Sequence, residues 1–151
     1  MRVAIGSDHA GYQLKAHLRD WLHAHKIDAR DVGPDSFDPG DDYPDFAHAV
    51  AESVLHKECE LGIMICSTGV GSCIAANKIA GVRAALCHDP FSARMSRLHN
   101  DANVLCLGAN VIAPGLAEEI LSVWLDVGFS GEPRHRRRID KVTRLERSDK
   151  D

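Results

Sequence analysis

No CxxC pair occurs among the five cysteines of this 151-residue chain, and their number is odd. A disulfide framework and a structural zinc site are therefore not expected, and a reducing, cytoplasmic setting is. No two histidines stand in an HxxxH pair, and His88-Asp89 by itself is a chance-level ligand pair, so no metal is expected. No apolar run approaches the roughly 20 residues of a membrane helix. The opening segment reaches Asp8 and His9 too early to hold the apolar core of a signal peptide. With 44% hydrophobic and 26% charged residues, the chain has the composition of one folded domain, residues 1–151, and not of a disordered segment.

Charge is unevenly spread. Residues 133–151 hold eight of the 18 basic and four of the 22 acidic residues, a surplus of four positive charges, which leaves residues 1–132 at −8. An acidic body does not suit general nucleic-acid binding. The basic end could serve nucleic acid, a phosphorylated small molecule or an acidic partner surface.

Short apolar runs alternate with helical periods. Val3–Ile5, Ile27–Val32, Leu61–Cys66, Val82–Leu86 and Val104–Leu107 read as strands. Between them, Leu14, Leu18, Trp21 and Leu22 mark one helix face, and Phe46, Val50 and Val54 another, opened by Pro44. A helix near Ser72–Ile79 follows a glycine loop, and Asp89-Pro90 opens one running to about Leu98. Leu116 to Val127 is amphipathic, and a last helix covers about Arg136–Arg147. Five strands alternating with helices imply a parallel sheet covered on both faces, with ligands beyond the carboxyl ends of the strands.

Four segments there could carry chemistry. In Cys66-Ser67-Thr68-Gly69-Val70-Gly71-Ser72 a strand ends, small residues turn, and a helix begins. Backbone N–H groups in such a loop favour an anion, and a thiol at its rim is placed to act as a base or nucleophile; a buried cysteine ending a core strand fits the same pattern. Asp8-His9 follows the first strand and can bind sugar hydroxyls, although Asp8 fits a helix cap equally well. His99 can exchange protons near neutral pH. Arg134 and Arg138, four apart, share a helix face and suit a phosphate, or merely form a solvated basic end. Gly69-Val70-Gly71-Ser72-Cys73-Ile74 lacks the third glycine of a dinucleotide fingerprint and follows the third strand, so no nucleotide cofactor is expected. His17, His23, His25, His48 and His56 fall in helical patterns and are read as uninvolved.

Taken in order, these segments resemble the type B ribose-5-phosphate isomerases, within a broader family that includes allose-6-phosphate and galactose-6-phosphate isomerases. The resemblance rests on Gly6-Ser7-Asp8-His9-Ala10-Gly11, Asp42-Tyr43-Pro44, Cys66 to Gly71 with Ala75-Ala76-Asn77-Lys78, Gly81-Val82-Arg83-Ala84, His99-Asn100-Asp101-Ala102-Asn103-Val104-Leu105, and Arg134-His135 with Arg138. It spans about Arg2 to Leu145. It implies a three-layer α/β/α sandwich, Rossmann-like, with a five-stranded parallel sheet and a C-terminal helix. It also implies aldose–ketose isomerisation through a cis-enediolate without metal or cofactor, in a homodimer or dimer of dimers whose active sites are shared between subunits.

By position, Cys66 corresponds to the base that moves the proton between C2 and C1, Thr68 to its neighbour, and His99 to the residue that opens the furanose. Asp8 and His9 would hold ring oxygens. Ser67, Gly69, Gly71 and Ser72 would surround the enediolate, with Asn100 touching it. Tyr43 would line the pocket, and Arg134 and Arg138 would hold phosphate. Ser67 stands where many members have glycine. Asn110 stands where ribose-phosphate members often have a third phosphate-binding arginine, for which Arg136 or Arg137 could substitute. One extra residue falls around Glu132-Pro133. The implied substrate is D-ribose 5-phosphate, with a hexose 6-phosphate, a tetrose phosphate or a non-catalytic binding role as alternatives.

Overall fold

The computed structural model describes residues 1–146. Five parallel strands, β1 (Arg2–Ser7), β2 (Asp28–Asp31), β3 (Leu61–Cys66), β4 (Ala84–Leu86) and β5 (Val104–Gly108), lie in the order β2-β1-β3-β5-β4. Strands β1, β3 and β5 are almost wholly buried, as both faces of a parallel sheet must be when helices cover them. Val3, Ile5, Ile63, Ile65, Leu105 and Leu107 point to one face, against α1 (Tyr12–Ala24), α4 (Pro90–Asn100) and α5 (Pro114–Asp126). Ala4, Met64 and Cys106 point to the other, against α2 (Tyr43–Leu55) and α3 (Val70–Asn77). This is the expected sandwich, completed by α6 (Pro133–Leu145).

Several boundaries differ from expectation for identifiable reasons. α6 begins at Pro133, three residues early, because proline is at home in the first turn of a helix; its expected end at Arg147 lies outside the described residues. β4 begins at Ala84 and not Val82, because the Val82 N–H closes a turn on Ile79 and the Arg83 N–H is taken by Asn103 Oδ1 at 2.7 Å. α3 begins at Val70, directly after the glycine loop. Asn77 then turns its side-chain amide onto the margin of the sheet: it donates to the Ala84 carbonyl at 2.9 Å and accepts the Ala84 N–H at 2.8 Å.

Lys15, a charged side chain on the inner face of α1, is only 2% exposed. A buried ammonium needs partners. It has Asp31 Oδ1 and the Pro34 carbonyl, both at 2.7 Å, and these fasten the segment between β2 and α2. Among the described residues, no helix is long and apolar enough to cross a membrane.

Candidate active site

The sheet order reverses direction between β1 and β3, and ligands of open parallel sheets bind beyond the carboxyl ends at such a point. The Asp8 N–H crosses from the end of β1 to the Ile65 carbonyl at 3.2 Å, which brings Asp8 beside Cys66. Asp8 is buried and its Oδ1 accepts the Gly11 N–H at 3.1 Å, capping a single 3-10 turn, His9–Gly11. The capping reading is therefore correct, and it also fixes the carboxylate at the mouth of the sheet. His9 directs both its backbone N–H (2.9 Å) and its ring Nδ1 (2.7 Å) to one oxygen of Asp41. That hydrogen bond raises the His9 pKa above 6.5, reinforced by the charge of Asp8.

Cys66 ends β3 and is 4% exposed. Its Sγ accepts the Gly69 N–H at 3.1 Å and touches Ser72 Oγ at 3.2 Å. Ser72 Oγ also lies 3.2 Å from the Gly69 carbonyl, its acceptor. This local circuit requires the loop to double back. Gly69 manages that at φ 78°, where a Cβ would lie 2.4 Å from Leu86 Cδ1. The first-turn N–H groups of Gly71 and Ser72 have no helical acceptor ahead of them and remain available to an anion. Thr68 is exposed, its Oγ1 accepting the Val70 N–H at 3.3 Å. Tyr43, at the start of α2, lies across Gly71 so closely that a Cβ there would sit 2.7 Å from its ring.

The remaining expected residues lie elsewhere. α4 runs back from the carboxyl end of β4, so His99 and Asn100 arrive at the amino ends of the strands. There Asn103 bonds to Gly62, and Arg83 holds the Asn100 and Asp101 carbonyls. The strand and helix lengths put about 15 Å between His99 and Cys66. The His99 ring rests 4.2 Å from that of His135, whose Nδ1 lies 2.7 Å from Ser130 Oγ. Burial, then the neighbouring His99 and Arg134, push the His135 pKa below 6.5. Arg138 and Asn100 line an open cleft of about 760 Å³ with Arg83, Ile139 and Val142. Arg134 pairs with Glu132 at 2.8 Å. One chain thus assembles Asp8, His9, Tyr43 and the 66–72 loop at one end. At the other it assembles His99, Asn100, Arg134 and Arg138.

Residues 3–142 match the family described as Ribose/Galactose Isomerase. The chain belongs to that family. Ribose-5-phosphate isomerase B of Escherichia coli is 42% identical over 145 residues, 96% of each chain. The Clostridium thermocellum ribose-5-phosphate isomerase B structure superposes with a TM-score of 0.94 at 46% identity, covering 97% of this chain and 98% of that one. The Mycoplasma genitalium ribose-5-phosphate isomerase B structure with bound ribulose-5-phosphate gives 0.91 at 43% identity, covering 97% of each.

Ser67 and Asn110, where the sequence was expected to differ from its relatives, touch each other. Asn110 Nδ2 donates to Ser67 Oγ at 2.8 Å. Arg136 is spent on the fold: its Nε donates to the Gly131 carbonyl and its guanidinium stacks 5.6 Å from Phe129.

Sequence reasoning missed Asp41, which comes from a polar loop 32 residues from His9. Its only signal in the sequence was its place beside the Asp42-Tyr43-Pro44 segment. It also set aside His17, whose Nε2 meets Glu118 at 2.6 Å and which lines, with His9, Phe37 and Asn110, a cleft of about 560 Å³. Among the described residues no group of three or more histidine, cysteine or acidic side chains is arranged to hold a metal ion.

Proposed function

We propose that this chain interconverts D-ribose 5-phosphate and D-ribulose 5-phosphate through a cis-enediolate, as a cytoplasmic enzyme whose site is shared between two copies. The observation that carries the reading is the Cys66 sulfur seated on the Gly69 N–H, beside Asp8, at the reversal point of the sheet. In this reading the Cys66 thiolate removes the proton from C2 and returns it to C1. The hydroxyl proton passes between O1 and O2, so the isomerisation needs no outside reagent. Negative charge that develops on the enediolate oxygens falls at the first turn of α3, where the Gly71 and Ser72 N–H groups are free to meet it. In the same reading Thr68 and Ser67, which follow Cys66 in the chain, contact the substrate, and Tyr43, packed on Gly71, walls the pocket.

His99, Asn100, Arg134 and Arg138 serve as ring-opening and substrate-holding groups only if a second copy brings its α4–α6 end over the Cys66 loop. Two exposed apolar side chains on α3, Val70 and Ile74, and Val142 on α6 support such a contact. A twofold pair would form two complete sites from two halves each.

A second reading, an isomerase for a shorter or longer phosphosugar, is favoured by the neutral Asn110, which lines the cleft and is tied to Ser67. A coupled ketose assay over ribose, allose, galactose and tetrose phosphates separates the two. Tenfold higher kcat/KM on any sugar other than ribose 5-phosphate overturns the first reading. Absence of turnover on all of them overturns the enzyme assignment.

A further inference from the structure

The His9–Asp41 contact is more elaborate than loop anchoring requires. One Asp41 oxygen receives two donors from the same residue, the His9 N–H and ring Nδ1. The other oxygen, Oδ2, is buried and has no hydrogen-bond partner among the described residues. A carboxylate with an unsatisfied buried oxygen is costly unless a positive charge stands against it. The group placed to provide that charge is the His9 ring. With Nδ1 committed to Asp41, the remaining ring donor is Nε2, and His9 lines the 560 Å³ cleft together with Gln13, His17 and Asn110.

The surroundings favour the charged form. Asp8 faces His9 from its own turn and Asp41 from the segment before α2. Phe37 presents its ring edge-on at 6.3 Å. From α1 comes His17, whose own ring is matched by Glu118 of α5, and from the β5–α5 loop the neutral Asn110. Two carboxylates therefore act on His9.

We propose that Asp41 is a positioning residue that orients His9 and keeps it an imidazolium, so that its Nε2–H meets the anionic group of the substrate in this cleft. The proposal rests on the isomerase reading above for the identity of that anion. The raised His9 pKa agrees with it. The sign is fixed: His9 is charged below its raised pKa, so anion binding is strongest there and weakens as pH rises through it. Where Asn110 offers no charge, the imidazolium supplies one.

The test is Asp41→Asn, which keeps an oxygen for the His9 N–H but removes the charge. His9 is followed by histidine NMR titration, alongside inorganic phosphate binding and the pH profiles of kcat and KM. The expected result is a His9 midpoint that falls, KM raised about tenfold near pH 7.5, as for loss of one charge-assisted contact, and little change in kcat. Phosphate affinity should begin to weaken at a lower pH than in the parent. In a His9→Gln background, Asp41→Asn should add nothing to KM. Loop anchoring alone would lower stability and leave the midpoint and the KM profile in place, and that outcome overturns the proposal. If Asp41→Asn does not fold, the parent decides: a His9 midpoint no higher than that of exposed His23 overturns it. A parent that isomerises no phosphosugar defeats the isomerase reading alone, because the titration and the phosphate measurements still decide this one.

Discussion

Asn110 grips Ser67 twice: its side-chain amide donates to the Ser67 hydroxyl at 2.8 Å and its backbone N–H to the Ser67 carbonyl at 2.9 Å. The adjacent Ala109 N–H holds the Cys66 carbonyl at 2.9 Å. The β5–α5 loop therefore fixes the backbone on which the candidate base stands. Asn110→Ala should lower unfolding free energy by about 1 kcal/mol, the ordinary net worth of one hydrogen bond, read by urea titration. Ser67→Gly should cost a similar amount, and the double variant less than the sum. Asn110→Arg is the specificity test. If ribose 5-phosphate is the substrate, KM for it should fall or hold; lost activity on another phosphosugar together with a gain on ribose 5-phosphate would point to a pocket tuned elsewhere.

Cys66→Ala should abolish isomerisation and the wash-in of solvent deuterium at C2, while phosphate binding persists. The change removes a sulfur that carries one loop N–H but leaves the first turn of α3 intact. Turnover above a small fraction of the parent rate would reject Cys66 as the carbon base.

Mixing should restore what single variants lose. Cys66→Ala and His99→Asn are each defective if every site draws Cys66 from one copy and His99 from the other. Dissociated and recombined at equal amounts, they should recover about a quarter of parent activity, since half the pairs are mixed and each holds one intact site. No recovery, from a mixture shown to exchange subunits, would mean that the site is not shared in this way.

Two thiols should differ in reactivity. The Cys106 thiol hydrogen-bonds the Cys73 sulfur and, against the effect of partial burial, lowers the Cys73 pKa, with help from Asn77. Burial pushes Cys87 up to about 11. Near pH 7.5 iodoacetamide should therefore modify Cys73 well before Cys87, followed by peptide mass mapping. Equal rates would contradict both shifts.

The chain announces its strands and the 66–72 loop because apolar runs end in glycine and small residues, a local signal. It does not announce Asp41, whose role exists only once a loop folds over His9, or the bond between Ser67 and Asn110, which joins residues 43 positions apart. Asp101 and Asn103 read as part of a functional string, yet here they brace the fold: Asp101 pairs with Arg83 and Arg97, and Asn103 holds Gly81 and Arg83. Proximity in sequence to His99 hid that difference. The placement of His99 at the far end of the sheet follows from topology: a helix that connects parallel strands must run back along them.

The Asn77 amide occupies both backbone groups of Ala84 on the outermost strand, which is only three residues long. The opposite margin, β2, carries Asp28, Arg30 and Asp31, engaged by Arg2, Glu58 and Lys15. Charged side chains along β2 and the Asn77 amide on β4 both discourage strand pairing at these edges. Zipping two sheets into one ten-stranded ribbon is therefore disfavoured. Any pairing of copies would then fall to the helices and loops, where the candidate site also lies, and fibre growth through the sheet edges is disfavoured.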